Sequence, residues 1–136
     1  MDFTATGAKG AKDENELSKL VLDAAFQVHS AVGPGLLENA YEACLAYELR
    51  RFGLKVLTQV PLPLIYREVR LEVGYKLDIL VEDLVVVEIK AVDRLIAVHH
   101  AQLLSYLKLS GKKLGILINF NVSHLREGIK RVVNGL

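Results

Sequence analysis

The chain has 136 residues, 51% apolar and 24% charged, which suits one folded domain and excludes a disordered, charge-rich polymer. Seventeen Lys and Arg oppose sixteen Asp and Glu for a formal charge of +1, so a grip on nucleic acid has to come from a local patch. The single cysteine, Cys44, excludes a disulfide framework and a multi-cysteine zinc site and suits a reducing cytoplasm, while apolar runs such as Leu84-Val85-Val86-Val87 fall far short of the ~20 residues that span a bilayer.

Residues 1–12 are small and polar, carry two glycines and show no periodicity, so they are expected to form a tail ahead of a domain over 13–136. With Asp2, Lys9 and Lys12 and no apolar stretch, they do not read as a signal peptide. Leu17, Leu20, Val21, Ala24, Ala25, Val28 and Val32 then line one face of a helix, which Gly33-Pro34-Gly35 ends. A second helix carries Tyr41, Cys44, Leu45, Leu49 and Phe52 inward and stops at Gly53. The period then changes. Residues 54–60 and 62–66 are short β-rich runs broken by Pro61 and Pro63, which belong at a sheet edge or bend. Two stronger strands follow at 75–81 and 85–90, joined by a short acidic turn at Glu82-Asp83. Residues 98–109 predict a third helix, 113–120 a buried strand, and the stretch after Asn121 a last helix with Val122, Leu125, Ile129, Val132 and Val133 on its apolar face.

The two central strands carry the chemistry. Alternation puts Lys76, Asp78 and Leu80 on one face of the first and Val86, Glu88 and Lys90 on one face of the second. In an antiparallel hairpin with a three-residue turn, Asp78 then stands opposite Glu88 and Lys76 opposite Lys90, with facing Cβ atoms ~5 Å apart. Two carboxylates so placed beside Leu80 and Val86 repel unless one is protonated or a cation sits between them. A divalent metal with oxygen ligands meets that need, with Lys90 as a fixed positive charge beside it. The same spacing also suits a plain amphipathic hairpin whose wet face pairs these acids with Lys76 and Lys90.

Gly35-Leu36-Leu37-Glu38-Asn39-Ala40-Tyr41 matches the G-x-x-E-x-x-Y signature, and from about Leu17 to Asn134 the chain resembles the GxxExxY family, placed within the PD-(D/E)XK nuclease superfamily. The pieces come in that superfamily's order: Glu38 on an N-terminal helix, Asp78 on the second strand of a meander, Glu88-Ile89-Lys90 as E-x-K on the next. Gln102-Leu103-Leu104-Ser105-Tyr106 is similar to the Q-x-x-x-Y element of RecB-like exonucleases, and Leu77 stands where the literal motif has proline. The resemblance implies an α/β fold with an αβββαβ core, a central mixed β-sheet flanked by helices. It further implies a metal-dependent nuclease in which Glu38, Asp78, Glu88 and the backbone carbonyl of Ile89 hold Mg²⁺ or Mn²⁺. Lys90 would orient the attacking water or steady the phosphate, Gln102 would reach a metal-bound water or backbone, and Tyr106 the substrate. Tyr41 is expected to pack and fix its helix.

Neighbouring candidates carry less. His99 and His100 diverge by ~100° on a helix and cannot both face one ion, and no Walker-type segment supports an ATPase. The expected partner is nucleic acid, DNA before RNA, with no membrane. A second reading is a catalytically silent nuclease-fold module that binds nucleic acid or a recruiting protein, or pairs as a homodimer through exposed apolar surface.

Overall fold

The computed structural model describes residues 12–136, so the expected tail, residues 1–12, lies outside the described residues apart from Lys12. Helix α1 (Glu14–Val32) begins at a reciprocal cap: the Asp13 carboxylate accepts from the Glu16 N–H at 2.8 Å, and Glu16 accepts from the Asp13 N–H at 3.1 Å. Two otherwise unpaired amides are thus satisfied. The helix stops at Gly33, whose φ of 67° lies in the left-handed region that glycine enters without cost. Helix α2 (Glu38–Arg51) follows. Tyr41 pins the turn between them, because its buried hydroxyl donates to the Gly33 carbonyl at 2.6 Å and accepts from the Leu36 N–H at 3.1 Å. Its ring stacks on Phe120 with centroids 4.5 Å apart, fixing the start of α2 against the sheet.

The sheet contains β1 (Val56–Pro61), β4 (Lys76–Val81), β5 (Val85–Lys90), β6 (Leu114–Asn119) and β7 (Ile129–Val133), in the order β1-β4-β5-β6-β7. Strands β5 and β6 run parallel and the other neighbours antiparallel. Pro61 ends β1 at the sheet's edge, where a missing N–H breaks no ladder. Helix α3 (Ala97–Ser110) makes the crossover between the parallel strands. Both sheet faces are covered. On one, Leu17, Val21, Tyr41 and Leu45 pack with Ile79, Val81, Val87 and Ile116; on the other, Leu103, Tyr106 and Leu107 of α3 pack with Leu80, Val86, Leu117 and Val132. The mixed α/β architecture with a helix-flanked central mixed sheet is therefore present. Among the described residues no helix is long and apolar enough to cross a membrane.

The last expected helix is absent. A short 3₁₀ turn, Leu125–Gly128, leads instead into β7, which pairs with β6 from Ile129 opposite Ile118 to Val133 opposite Leu114. The reason is two-sided burial. Ile129 packs into the α1/α2-side core and Val132 into the α3-side core, so apolar residues three apart imitate a helical period on a strand. Gly128 makes the entry feasible, since a Cβ there would lie 2.2 Å from the Asn119 carbonyl oxygen. A small separate sheet also stands between β1 and β4: β2 (Leu64–Tyr66) paired with β3 (Val69–Leu71), of which only the first strand was anticipated.

Candidate functional site

The antiparallel ladder between β4 and β5 has the expected register, Val81 opposite Val85, Leu80 opposite Val86 and Ile79 opposite Val87. It stops one step before Asp78 and Glu88. There the strands are joined through side chains: the Asp78 N–H donates to Glu88 Oε1 at 3.2 Å, and the Ile89 N–H donates to Asp78 Oδ2 at 2.9 Å. The alternation of β4 also breaks here, since Leu77 and Leu80, three residues apart, both belong to the α3-side core. Carboxylates thus replace backbone partners where the two strands part.

Glu88 is 6% exposed. Burial and, next, the charge of Asp78 push its carboxyl pKa from 4.5 up to about 8, with Lys90 and the Asp78 amide offsetting only part of this. At neutral pH Glu88 holds its proton, which is how a buried pair of acids avoids two adjacent charges. Lys90, two residues along the strand, sets its Nζ 3.4 Å from Gln102 Oε1 on α3. Tyr106, one turn along α3, is almost buried. Its burial first and then the charges of Glu88, Tyr75 and Asp78 raise the hydroxyl's pKa, while a hydrogen bond with Gln102 lowers it. Asp78, Glu88, Lys90, Gln102 and Tyr106 thus share one neighbourhood between β4, β5 and α3.

Glu38 makes no hydrogen bond or ion pair with them, nor with any other described residue, and is exposed at the start of α2. Glu42, one turn further on, bears on Asp78 instead: burial and the Asp78 charge raise its pKa against a lowering hydrogen bond from Gln59. The Gln59 amide donates to Glu42 Oε1 at 2.6 Å and lies 3.5 Å from Asp78 Oδ1, so a neutral donor separates two acids. Gln59 reaches them from a φ of 53° in the middle of edge strand β1, a conformation that non-glycine residues rarely hold.

Neither Glu42 nor Gln59 stands out in sequence. Glu42 follows the signature by one residue, and a left-handed Gln59 has no local sign. Buried Asn119 was also missed. Its carboxamide accepts from the Val92 N–H at 3.0 Å and donates to the Val92 carbonyl at 2.9 Å, which fixes the chain just after Lys90.

The chemistry of the donors fits a hard divalent cation, because Asp78 and Glu88 offer carboxylate oxygens and a cation would offset the burial and the Asp78 charge that together keep Glu88 protonated. The set is incomplete as it stands: among the described residues no group of three or more His, Cys, Asp or Glu side chains is arranged to hold a metal. A family model described as the PD-(D/E)XK nuclease superfamily matches residues 15–132. No curated protein matches the chain, and no solved structure does.

Proposed function

Because the chain belongs to the PD-(D/E)XK nuclease superfamily, we propose that it hydrolyses phosphodiester bonds of nucleic acid, DNA first, with Mg²⁺ or Mn²⁺ at Asp78 and Glu88. The observation that carries this reading is the parting of β4 and β5 at Asp78 and Glu88, with Lys90 alongside and Gln102 and Tyr106 facing it from α3. The G-x-x-E-x-x-Y segment supports placement in the GxxExxY subfamily.

A bound cation would supply Lewis-acid polarisation of the phosphoryl group and a more acidic water. Asp78, Glu88 and the Ile89 backbone carbonyl are the proposed holders on the strands. Glu88 would have to surrender its proton to hold the cation, so affinity would rise with pH toward about 8. Lys90 contributes a fixed positive charge for the phosphate oxygens, oriented by Gln102. Tyr106, with its pKa raised, stays a proton donor toward substrate. On α2, the motif nominates Glu38 and the geometry brings Glu42 to Asp78.

Cleavage of labelled single-stranded and duplex DNA with Mn²⁺, Mg²⁺ or EDTA tests the reading. Asp78→Ala and Glu88→Ala each reduce metal-dependent cleavage to background while leaving the fold intact; cleavage surviving in either variant removes the site assignment. Parallel Glu38→Ala and Glu42→Ala variants identify the α2 acid by which loss abolishes turnover. The isolation of Glu38 favours the second reading, a silent module that binds nucleic acid or protein. That module would bind equally well in EDTA and tolerate Lys90→Ala.

A further inference from the structure

Strands β2 and β3 form a two-stranded hairpin outside the main sheet, an element that is only marginally stable without support. Its root is anchored beside the candidate site. Leu62 and Leu77 are buried in the α3-side core, the Leu62 N–H donates to the Tyr75 carbonyl at 2.8 Å, and the Tyr75 and Tyr106 rings lie 5.8 Å apart. Leu64 and Tyr75 line one pocket with Gln102, Ser105 and Tyr106, so the arm's inner wall is continuous with the residues facing Glu88.

The outer part is exposed and apolar: Ile65, Tyr66, Val69, Leu71 and Val73 all stand open, Tyr66 at 59%. At the tip the chain turns through Arg67 and Glu68, since Tyr66 pairs with Val69. Arg67 has a φ of 54°, which glycine would adopt without strain and which the two-residue hairpin turn favours glycine for. An arginine kept in a costly conformation points to use of its side chain. That side chain lies over the Tyr66 ring, 5.6 Å from the centroid, and has no ion pair among the described residues. Arg70, by contrast, is paired with Glu72 at 2.8 Å.

We propose that this hairpin is a grip for unpaired nucleotides, in which Tyr66 stacks on a base and Arg67 holds a phosphate, leading a single strand past Tyr75 and Tyr106 to the candidate site. An exposed planar ring beside a guanidinium that no acid pairs among the described residues is the chemistry that holds single-stranded nucleic acid, because a base offers its face fully only when unstacked. The arm is neutral as a whole, with Arg67 and Arg70 against Glu68 and Glu72, so the charge offered to a phosphate is the local one of Arg67, since Arg70 is held by Glu72. The direction of threading rests on the nuclease reading; the grip itself does not.

Fluorescence anisotropy with a labelled single-stranded oligonucleotide, and with the same sequence as blunt duplex, tests this in EDTA where no metal-dependent cleavage occurs. The single strand is expected to bind more tightly than the duplex. Tyr66→Ala and Arg67→Gly each weaken single-strand binding by at least about fivefold, whereas Tyr66→Phe stays within about twofold because the ring remains. Arg67→Gly melts no lower than wild type, which separates lost contact from lost folding. Variants that bind as wild type, or a duplex bound as tightly as the single strand, overturn the grip. So does a Tyr66→Ala protein whose oligomeric mass changes in sedimentation while its oligonucleotide affinity does not, since the hairpin then meets a second copy of the chain. Hairpin-dependent binding by a protein that cleaves nothing upholds the grip and removes only the nuclease reading.

Discussion

The β4–β5 pair has two ends built on different terms. At the turn end, Val81 faces Val85 and Leu80 faces Val86, all buried, and the Leu84 N–H closes the turn on the Val81 carbonyl at 2.9 Å. Asp83, at a positive φ that Asp tolerates comparatively well, pairs with Lys112 at 3.1 Å. At the other end the ladder lapses, two acids stand together and one is forced to keep a proton. Within one pair of strands, regular pairing and apolar burial stabilise one end, while the other holds an electrostatic cost that only a proton or a cation relieves. That cost is a physical ground for the proposed site that the E-x-K spacing alone does not supply.

The contrast can be broken from either side. The largest effect on stability is expected in the regular ladder, where Ile79→Ala, fully buried at the last pair before the strands part, costs about 2–5 kcal/mol in urea unfolding. At the open end the same measurement moves the other way. The pKa of Glu88 is higher folded than unfolded, so between pH 4.5 and about 8 the native state holds the extra proton and this group's contribution to stability falls as pH rises. The slope is at most ~1.4 kcal/mol per pH unit. Glu88→Gln, neutral throughout, flattens that slope and is more stable than wild type near pH 8; a slope unchanged in the variant places the titration elsewhere. The smallest effect belongs to Asp83→Asn, which keeps the turn and removes an ion pair whose acid is 70% exposed, at a cost below about 1 kcal/mol.

Sequence reasoning succeeded where one rule governed a segment. The register of β4 against β5 was legible because strand alternation and a three-residue turn leave few choices, and α1 because a single apolar stripe faces a single layer. It failed where two environments share a segment: Ile129 and Val132 serve opposite cores, so their spacing imitates a helix. Asp78, Glu88 and Lys90 could be nominated from parity, whereas Gln102 and Tyr106 came from the resemblance to a Q-x-x-x-Y element, their one-turn spacing adding only that both could face the same way. Gln59 and Glu42 could not, because their contact spans 17 positions and depends on a left-handed residue inside a strand. Glu38, the most recognisable letter of its motif, makes no hydrogen bond or ion pair with the cluster, since a signature records the order of residues and not which side chain of the helix bonds to which neighbour.

The most direct test of the central claim is the thermal stability of wild type and Asp78→Ala at pH 7, each with and without Mn²⁺. A ligand held only by the native state adds about 2.7 kcal/mol at a hundredfold excess over its Kd, a shift of several degrees for a domain of this length. The account predicts that Mn²⁺ raises the melting temperature of the wild type and leaves Asp78→Ala unmoved. Equal shifts in both proteins, or none in either, would contradict it, and Asp78 and Glu88 would then be a structural pair.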